Sequence, residues 1–463
     1  MAITHALGFP RIGSRRELKR ALDGYWRGEI GQAALLRTGR DLRARHWVLQ
    51  ADAGLDLVPV GDFSYYDHVL DTSALLGVIP ERFGQAADER GIDLDLYFRM
   101  ARGRAPQGED VAACEMTKWF DTNYHYIVPE LAPDQRFALH SRALERQLDE
   151  ARSQDLHSKP VLIGPLTYLW LGKSRGEPFD KLTLLERLLP VYEELLHRLA
   201  DRSIEWVQID EPILVCDLDK AWQGAFERAY RQLEAQGPKL LLATYFGELG
   251  ANLDLALRLP VSGLHIDLAR APDQLGKILR RFPKEKVLSA GVVDGRNIWR
   301  TDLEAWLEPL QRAQERLDER LWLAPSCSLL HVPIDLAGET KLDAELKSWL
   351  AFAVQKLEEV AILGRALAQG RASVAPELAA NRAAIVARRA SPRIYTAAVR
   401  QRLDAVTPAM SRRASPYRER APLQHRRLNL PLLPTTTLGS FPQTQSIRAA
   451  RRDYRAGRLD RAG

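Results

Sequence analysis

The sequence has few cysteines and no long apolar run. Only Cys114, Cys216 and Cys327 occur among its 463 residues, and no two of them form a CxxC pair. This spacing excludes a disulfide framework and a zinc ribbon. No apolar stretch is long enough for a membrane-spanning helix, and the first residues lack the basic and apolar regions of a signal peptide. We therefore expect a soluble, cytoplasmic protein with free thiols and no membrane partner.

Positive charge is unevenly distributed, and lysine is absent from residues 371–463. That segment contains 19 arginines and five acidic residues, a net charge of +14, whereas the whole chain carries +6. The first 370 residues are therefore acidic. A basic segment permits a nucleic-acid partner. However, these arginines are scattered among Ala, Ser and Pro with few of the aromatic residues that a single-strand binder uses. We favour a solvated helical surface and predict no nucleic-acid partner.

The composition, 46% hydrophobic and 27% charged, is typical of a globular protein. Eight short runs of apolar and β-branched residues recur, and amphipathic stretches follow them, for example 184–202, 222–236, 272–281 and 302–319, with a longer one at 343–368. Eight strands alternating with helices predict a (βα)8 barrel. The predicted strands are residues 4–9, 57–60, 160–163, 205–209, 239–244, 263–267, 287–291 and 321–325.

Polar residues follow several of these strands, at the barrel face where active sites form. They are Asp62, Asp210-Glu211, Thr244, Asp267 and Cys327. For Asp210-Glu211 we favour a hydrogen-bonded pair of carboxylates at the strand end over a ligand-binding pair. A metal site built on Cys327 and His331 is the alternative to a buried thiol beside a hydrogen-bonded imidazole, and we favour the latter.

An internal repeat suggests a second barrel. Residues 7–10 (Leu-Gly-Phe-Pro) open the chain, and residues 438–442 (Leu-Gly-Ser-Phe-Pro) repeat them near its end. We predict three parts: a barrel over residues 1–370 with an insertion at about 61–159, an Arg- and Pro-rich helical connector over 371–433, and the truncated start of a second barrel over 434–463.

Seven longer motifs, in a fixed order along the chain, resemble one family, the cobalamin-independent methionine synthases. The resemblance implies two barrels of common ancestry, of which this chain matches the first, the connector and the opening of the second. It implies methyl transfer from 5-methyltetrahydropteroyltri-L-glutamate to L-homocysteine without cobalamin. The motifs are LGFPRIGSRRELK (7–19), GRDLRARHW (39–47), PVGDFSYYDHVL (59–70), EMTKWFDTNYHY (115–126), EWVQIDEP (205–212), SCSLLH (326–331) and PTTTLGSFPQT (434–444).

The resemblance also implies substrate-binding residues. The folate's glutamate tail is assigned to Arg16, Glu17, Leu18, Lys19 and Lys118, and a polyanion needs several cations presented together. Homocysteine is assigned to Leu438, Gly439 and Ser440, where the family has Ile in place of Leu438. We expect these two small molecules as partners, and a monomer.

The family's zinc ligands, a His-x-Cys pair, a Glu and a distant Cys, lie in a part of the second barrel that this sequence does not contain. By the duplication they correspond here to residues 244–246 (Thr-Tyr-Phe), Asp267 and Cys327. Two potential ligands remain, and a zinc site needs about three. We therefore predict no metal, no catalytic residue and no activity for this chain alone. A non-catalytic module that binds polyglutamyl folate is the alternative to an enzyme.

Overall fold

The computed structural model describes residues 2–84, 92–234, 237–437, 439 and 443–461. Eight strands make up its main sheet: β1 (Ile3–Thr4), β2 (Val58–Val60), β3 (Ser158–Ile163), β4 (Trp206–Asp210), β5 (Lys239–Ala243), β6 (Gly263–Asp267), β7 (Val287–Val293) and β8 (Leu321–Pro325). They are all parallel, in the order β1-β8-β7-β6-β5-β4-β3-β2. A parallel bridge between His5 and Leu57 joins the two edges. The predicted (βα)8 barrel is confirmed.

Amphipathic helices surround the strands. In Leu185–Asp201, for example, Leu188, Tyr192, Leu195 and Leu199 are buried at the spacing of one helical face. Among the described helices, none combines the length and the apolar character needed to cross a membrane. Up to residue 390 the α-helices are Glu17–Trp26, Gln32–Asp52, His68–Leu75, Leu94–Arg102, Ala143–Arg152, Pro165–Leu171, Leu185–Asp201, Lys220–Leu233, Leu253–Arg258, Gln274–Leu279, Leu303–Leu317, Ala344–Ser348, Ala353–Gln369 and Ala375–Ala390.

The barrel interior is layered, and its middle layer is polar. One apolar layer packs Trp206, Leu241 and Trp322 together. Next to it, the Ser289 hydroxyl bonds to His5 at 2.7 Å and to His265 at 2.8 Å. These three polar residues are 0% exposed, as are Lys159 and Gln208. Interior positions of such barrels are usually filled by branched apolar side chains. This barrel therefore depends on internal hydrogen bonds as well as on apolar packing.

The prediction of one long helix over residues 343–368 is wrong. The structure has two helices there, Ala344–Ser348 and Ala353–Gln369. Between them, the Ala351 N–H donates to the Ile298 carbonyl at 2.8 Å, and the Ala353 N–H donates to the Pro333 carbonyl at 2.8 Å. These long-range bonds replace the helical ones, which a periodic pattern of apolar residues cannot reveal.

The insertion between β2 and β3 forms a small hairpin and packs with the two helices before β2 into a second apolar core. Phe98 from the insertion joins Leu18 and Leu35 from those two helices in this core. The hairpin pairs Met116–Lys118 with His125–Ile127 in antiparallel register. It is tied to the helix His68–Leu75 through the fully buried Asp67. One oxygen of Asp67 accepts two N–H groups at that helix's start, and the other accepts the Ile127 N–H at 3.0 Å.

The described residues form two compact units, 1–390 and 391–463. The predicted boundaries at residues 370 and 433 stay predictions. In the second unit, the described α-helices bury no residue. Leu432 and Leu433 are 96% and 84% exposed. This unit therefore shows no apolar core in its described part. Its α-helices are Ala397–Asp404, Tyr417–Leu428 and Gln445–Arg455.

Glu211 follows β4 and is 0% exposed. Its carboxylate accepts the N–H groups of Leu166 at 3.1 Å and Thr167 at 2.7 Å, the Thr167 hydroxyl at 2.5 Å and the Tyr230 hydroxyl at 3.1 Å. Burial raises the pKa of Glu211 to about 7, against the opposing effect of these donors. A Cβ at Gly164 would lie 2.1 Å from a Glu211 oxygen. Glu211 therefore joins the start of the helix Pro165–Leu171 to the strand end.

Replacing Glu211 by Ala should lower the free energy of unfolding by at least about 2 kcal/mol, since several buried donors lose their acceptor at once. The measurement is urea unfolding followed by tryptophan fluorescence. Glu205→Ala is the control, because the Glu205 side chain is 71% exposed and pairs with Lys239 on the surface. That variant should lose less than about 1 kcal/mol. Equal losses in the two variants would contradict the structural role of Glu211.

Candidate functional site

A cavity of about 470 Å³ opens at the carboxyl ends of the barrel strands. Asp62 follows β2, Asp210 ends β4 and Tyr245 follows β5, and all three line this cavity. The insertion supplies further walls through the helices His68–Leu75 and Ala143–Arg152. Cavities of this size with a few convergent polar groups are typical of small-molecule sites. We call it the mouth cavity.

Asp62 and Asp210, two of the carboxylates that line the mouth cavity, accept hydrogen bonds from neighbouring groups of the protein. Asp210 accepts the Gln208 amide at 2.6 Å and the Tyr245 hydroxyl at 2.9 Å. Asp62 accepts the Phe9 N–H at 2.7 Å. Burial raises the pKa of each of these carboxyl groups to about 6, and these donors and the charge of Lys159 oppose the shift.

Lys159 lies inside the barrel and reaches toward these acids without bonding to them. Its ammonium donates to the Ala6 carbonyl at 3.4 Å and to the Gln208 side-chain oxygen. Burial lowers the pKa of Lys159 to about 7, and the charges of Asp210 and Asp62 limit the shift. A buried lysine next to two carboxylates gives this end of the barrel a coupled set of charges.

An aromatic cluster covers part of the mouth cavity. His68 stacks on Tyr124 with 5.0 Å between ring centroids, and Trp119 meets His68 edge-on at 4.4 Å. Phe246, which follows β5, lies 5.7 Å from His331. Phe246 has φ of 78°, a left-handed conformation that is strained for a non-glycine residue. The hairpin of the insertion therefore contacts residues at the barrel mouth.

Asp121, at the tip of that hairpin, forms ion pairs with two arginines from loops of the barrel. It lies 2.8 Å from Arg296 and 3.2 Å from Arg270. Partial burial opposes ionisation, but the hydrogen bonds and charges of these arginines lower the pKa of Asp121 below its usual range. Next to it, the Phe120 ring lies 5.8 Å from the Phe246 ring. We call the ion pairs of Asp121 the latch.

The structure places Arg16, Glu17, Leu18 and Lys19 at the start of the helix Glu17–Trp26, away from the residues that line the mouth cavity. The cations are exposed, and Lys19 pairs with Asp23 at 3.2 Å, one turn later on the helix. Arg16 has φ of 58° and precedes the first helical residue. The Glu17 N–H bonds to that residue's own carboxylate and the Leu18 N–H donates to the Ile12 carbonyl at 3.1 Å, whereas no described acceptor bonds to the Lys19 N–H. Exposed cations at a helix start favour an anion.

Glu17 and Leu18 are the two residues assigned to the folate tail that carry no positive charge, and the structure shows what each of them contacts. Glu17 accepts the Arg15 N–H at 2.8 Å and pairs with Arg45 at 2.8 Å, so its carboxylate holds the turn before the helix. Leu18 is 0% exposed and belongs to the second core. Its side chain therefore anchors the helix, and its N–H donates to the Ile12 carbonyl at 3.1 Å.

Lys118 lies at the end of the first hairpin strand, exposed and paired in register with His125. No described hydrogen bond or ion pair joins it to Arg16 or Lys19. Of the residues assigned to homocysteine, Leu438 and Ser440 lie outside the described residues. Gly439 is described and has φ of 74°. These assignments stay predictions.

The residues that correspond to the family's zinc ligands do not fit a metal. The Thr244 hydroxyl donates to the His265 carbonyl at 2.7 Å, and the two oxygens of Asp267 accept the N–H groups of Phe246 and Arg270 at 2.9 Å. Cys327 is 0% exposed, and burial raises the pKa of its thiol well above the usual value. Across the part of the chain that the structure describes, no group of three or more His, Cys, Asp or Glu is placed to hold a metal.

Sequence reasoning missed Lys159, the latch and the aromatic cluster. The aromatic density of residues 119–126 was a signal for the cluster, but not for the latch, because Asp121 and Arg296 are 175 positions apart. The sequence gave no indication that Lys159 is buried, because lysine is rarely buried in proteins.

Comparison with known families gives two matches. Residues 3–318 match the family model for the N-terminal domain of the cobalamin-independent synthases. Residues 433–463 match the model for the catalytic domain of the same family. The first match covers more than half of the chain.

Two solved structures are similar to most of the chain. One is a putative vitamin B12-independent methionine synthase from Listeria monocytogenes, with 12% identity, 80% of this chain and 98% of that chain covered, and a TM-score of 0.50. The other is a B12-independent methionine synthase from Shewanella sp. W3-18-1 in complex with selenomethionine, with 16% identity, 82% and 98% covered, and a TM-score of 0.51. At these identities the likeness shows the fold alone.

Removing the latch with Asp121→Ala should loosen the hairpin without unfolding the barrel. The two partly exposed ion pairs of Asp121 together stabilise the closed hairpin by about 1 kcal/mol. Their loss should make the hairpin open roughly fivefold more often. Hydrogen exchange of the Trp119 N–H, which donates to the Tyr124 carbonyl at 2.8 Å, measures that opening. Asp134→Ala, an exposed acid in the same insertion, is the control and should leave the exchange unchanged. Identical exchange in all three proteins would show that the ion pairs do not hold the hairpin.

Proposed function

The chain belongs to the cobalamin-independent methionine synthase family, and we propose that residues 1–390 serve its methyl-transfer reaction by binding the folate substrate's glutamate tail. The methyl group passes from 5-methyltetrahydropteroyltri-L-glutamate to L-homocysteine and gives L-methionine. In this proposal, Arg16, Lys19 and Lys118 pair with the carboxylates of the tail. Glu17 and Leu18 hold the helix start in position, Glu17 through Arg15 and Arg45 and Leu18 through the second core.

The observation that carries this proposal is the cationic start of the helix Glu17–Trp26. Arg15, Arg16, Lys19 and Arg20 are all exposed there, and the structure describes no acceptor for the Lys19 N–H. One exposed ion pair is worth at most about 1 kcal/mol, so a monoglutamate gains little from such a surface. A chain of several glutamates engages several cations at once and gains from their combined effect.

The homocysteine assignment concerns residues 438–440, within the segment that matches the catalytic-domain model. We propose that this turn contacts the amino acid in the catalytic domain of the family. The homocysteine thiol must react as a thiolate, and a free thiol is mostly protonated at neutral pH. The barrel's own Thr244, Asp267 and Cys327 are committed to internal contacts. We therefore propose that this barrel binds substrate and supplies no catalytic group, and that the chain alone is inactive, cytoplasmic and monomeric.

Charge reversal in the tail-binding surface should discriminate between folates. Lys19→Glu and Lys118→Glu should each weaken binding of triglutamyl methyltetrahydrofolate at least about threefold, and of the monoglutamyl form by less than about twofold, because a longer tail reaches more cations. Isothermal titration with both ligands measures this. Lys284→Glu is the control, since this exposed lysine precedes β7 at the opposite end of the barrel. Equal weakening of the two folates by Lys19→Glu would refute the assignment.

The chain should contain no stoichiometric zinc, because Thr244 and Phe246 occupy the positions where ligands are needed. Elemental analysis after mild chelation is the measurement, with a known zinc protein treated in the same way as a control. We expect well under one zinc per chain and no methionine formed from methyltetrahydrofolate and homocysteine. About one zinc per chain would contradict the proposal that this barrel supplies no chemistry.

A further inference from the structure

Acidic side chains outnumber basic ones in the lining of the mouth cavity, and the buried Lys159 lies behind two of these acids. Among the described residues that line it are Asp62, Asp71, Asp93 and Asp210, against one arginine, the exposed Arg146. The two histidines that line the cavity, His68 and His331, add no positive charge. Burial lowers the pKa of His68 to about 3 and of His331 to about 4, so both are neutral at pH 7. An anion entering this cavity is therefore repelled, and a cation is attracted.

Three of the four carboxylates already serve the fold. Asp71 accepts the Tyr97 hydroxyl at 2.7 Å, and Asp93 caps the helix Leu94–Arg102. Both oxygens of Asp210 accept donors from the protein. These groups shape the cavity and give it charge, but they leave little capacity to bond directly to a ligand.

Asp62 is different, because only one other described residue bonds to its carboxylate. Oδ2 accepts the Phe9 N–H at 2.7 Å, and the other described donor is the backbone N–H of Asp62 itself. The ammonium of Lys159 donates instead to Ala6 and Gln208. A carboxylate that lines a cavity and has so few donors keeps lone pairs for a charged N–H group of a ligand.

The walls around this acceptor are aromatic. Phe63, Tyr65, Trp119, Tyr245 and Phe246 all line the mouth cavity. Aromatic faces attract cations through their quadrupole and bury the carbon skeleton of a ligand at the same time. A volume of about 470 Å³ leaves room for a ring or a short chain attached to the charged group.

We propose that the mouth cavity binds a small organic cation, a primary amine or an amidine on an aromatic or apolar body, with its N–H groups on Asp62. The site is separate from the tail-binding surface and does not depend on the proposed function. An α-amino acid is a poor fit, because its carboxylate meets several acids and only the exposed Arg146. The cavity should thus reject homocysteine as well as folate carboxylates.

A matched series of four probes tests the ligand class. Phenethylamine supplies the cation, phenethyl alcohol is its neutral counterpart, phenylalanine adds a carboxylate, and 3-phenylpropionate is an anion. Saturation-transfer NMR detects binding, and titration gives the affinities. Phenethylamine should bind at least roughly tenfold more tightly than each of the others, as a charged hydrogen bond in a sheltered site implies. Equal binding of the amine and the alcohol, or no binding of the amine at millimolar concentration, would overturn the proposal.

Three variants of this chain locate the site. Asp62→Asn keeps an acceptor for the Phe9 N–H but removes the charge, and should weaken phenethylamine binding roughly tenfold. Asp201→Asn, at an exposed acid that ends the helix Leu185–Asp201, should change nothing. Ala74→Trp fills the cavity from its wall and should abolish binding whatever the charge.

Circular dichroism establishes that each variant is folded, and Lys19→Glu separates the two proposals. That variant should leave amine binding unchanged even where it weakens triglutamyl folate. If Asp62→Asn does not fold, the Ala74→Trp variant and the probe series decide. Unchanged amine binding in folded Asp62→Asn, or in Ala74→Trp, would place the amine elsewhere and overturn the assignment of the mouth cavity.

Discussion

Closure of the barrel depends on a few hydrogen bonds around Thr4, in the shortest strand. The Thr4 N–H and hydroxyl donate to Asp56 at 2.7 and 2.8 Å. The Thr4 carbonyl accepts the N–H groups of Asp56 and Leu57, and the next N–H, of His5, donates to Leu323 in β8. These bonds join β1 to both of its neighbours. Every other strand pair can form in an open sheet, but only this closure encloses the barrel interior.

The closed barrel also makes the polar interior possible. His5, just after β1, reaches Ser289 in β7, two strands away, and Lys159 from β3 reaches the Ala6 carbonyl just after β1. The Lys159 bond connects the two edges of the sheet, so it exists only once the barrel is closed. Buried polar groups stabilise a fold only when they are satisfied. The interior layer thus couples closure of the sheet to the charges that face the mouth cavity.

The sequence was sufficient to predict the local features of this fold. β6 and β8 begin and end at the residues that the apolar runs predicted, since each run is short and clearly bounded. Asp62 and Asp210 were expected at one end of the barrel because parallel strands place their carboxyl ends together. The break near Ala351 and the latch at Asp121 depend on contacts between distant segments, which a periodic pattern does not contain. The tail-binding residues came from resemblance, and only the structure separates the side-chain anchor Leu18 from the exposed Lys19.

Two ligands of opposite charge are proposed for residues 1–390, a glutamate tail and a small organic cation. The surfaces proposed for them, the start of the helix Glu17–Trp26 and the mouth cavity, differ in charge accordingly. Two unit charges at 4 Å interact by about 4 kcal/mol near a protein surface, and by less at greater distance. In the two proposals, a glutamate tail that enters the mouth cavity meets the carboxylate of Asp62, whereas the start of the helix Glu17–Trp26 presents exposed cations. Because the two surfaces lie on separate elements, neither has to compromise its charge for the other. Together the proposals predict that a polyanion binds at the helix start and that a cation binds in the mouth cavity.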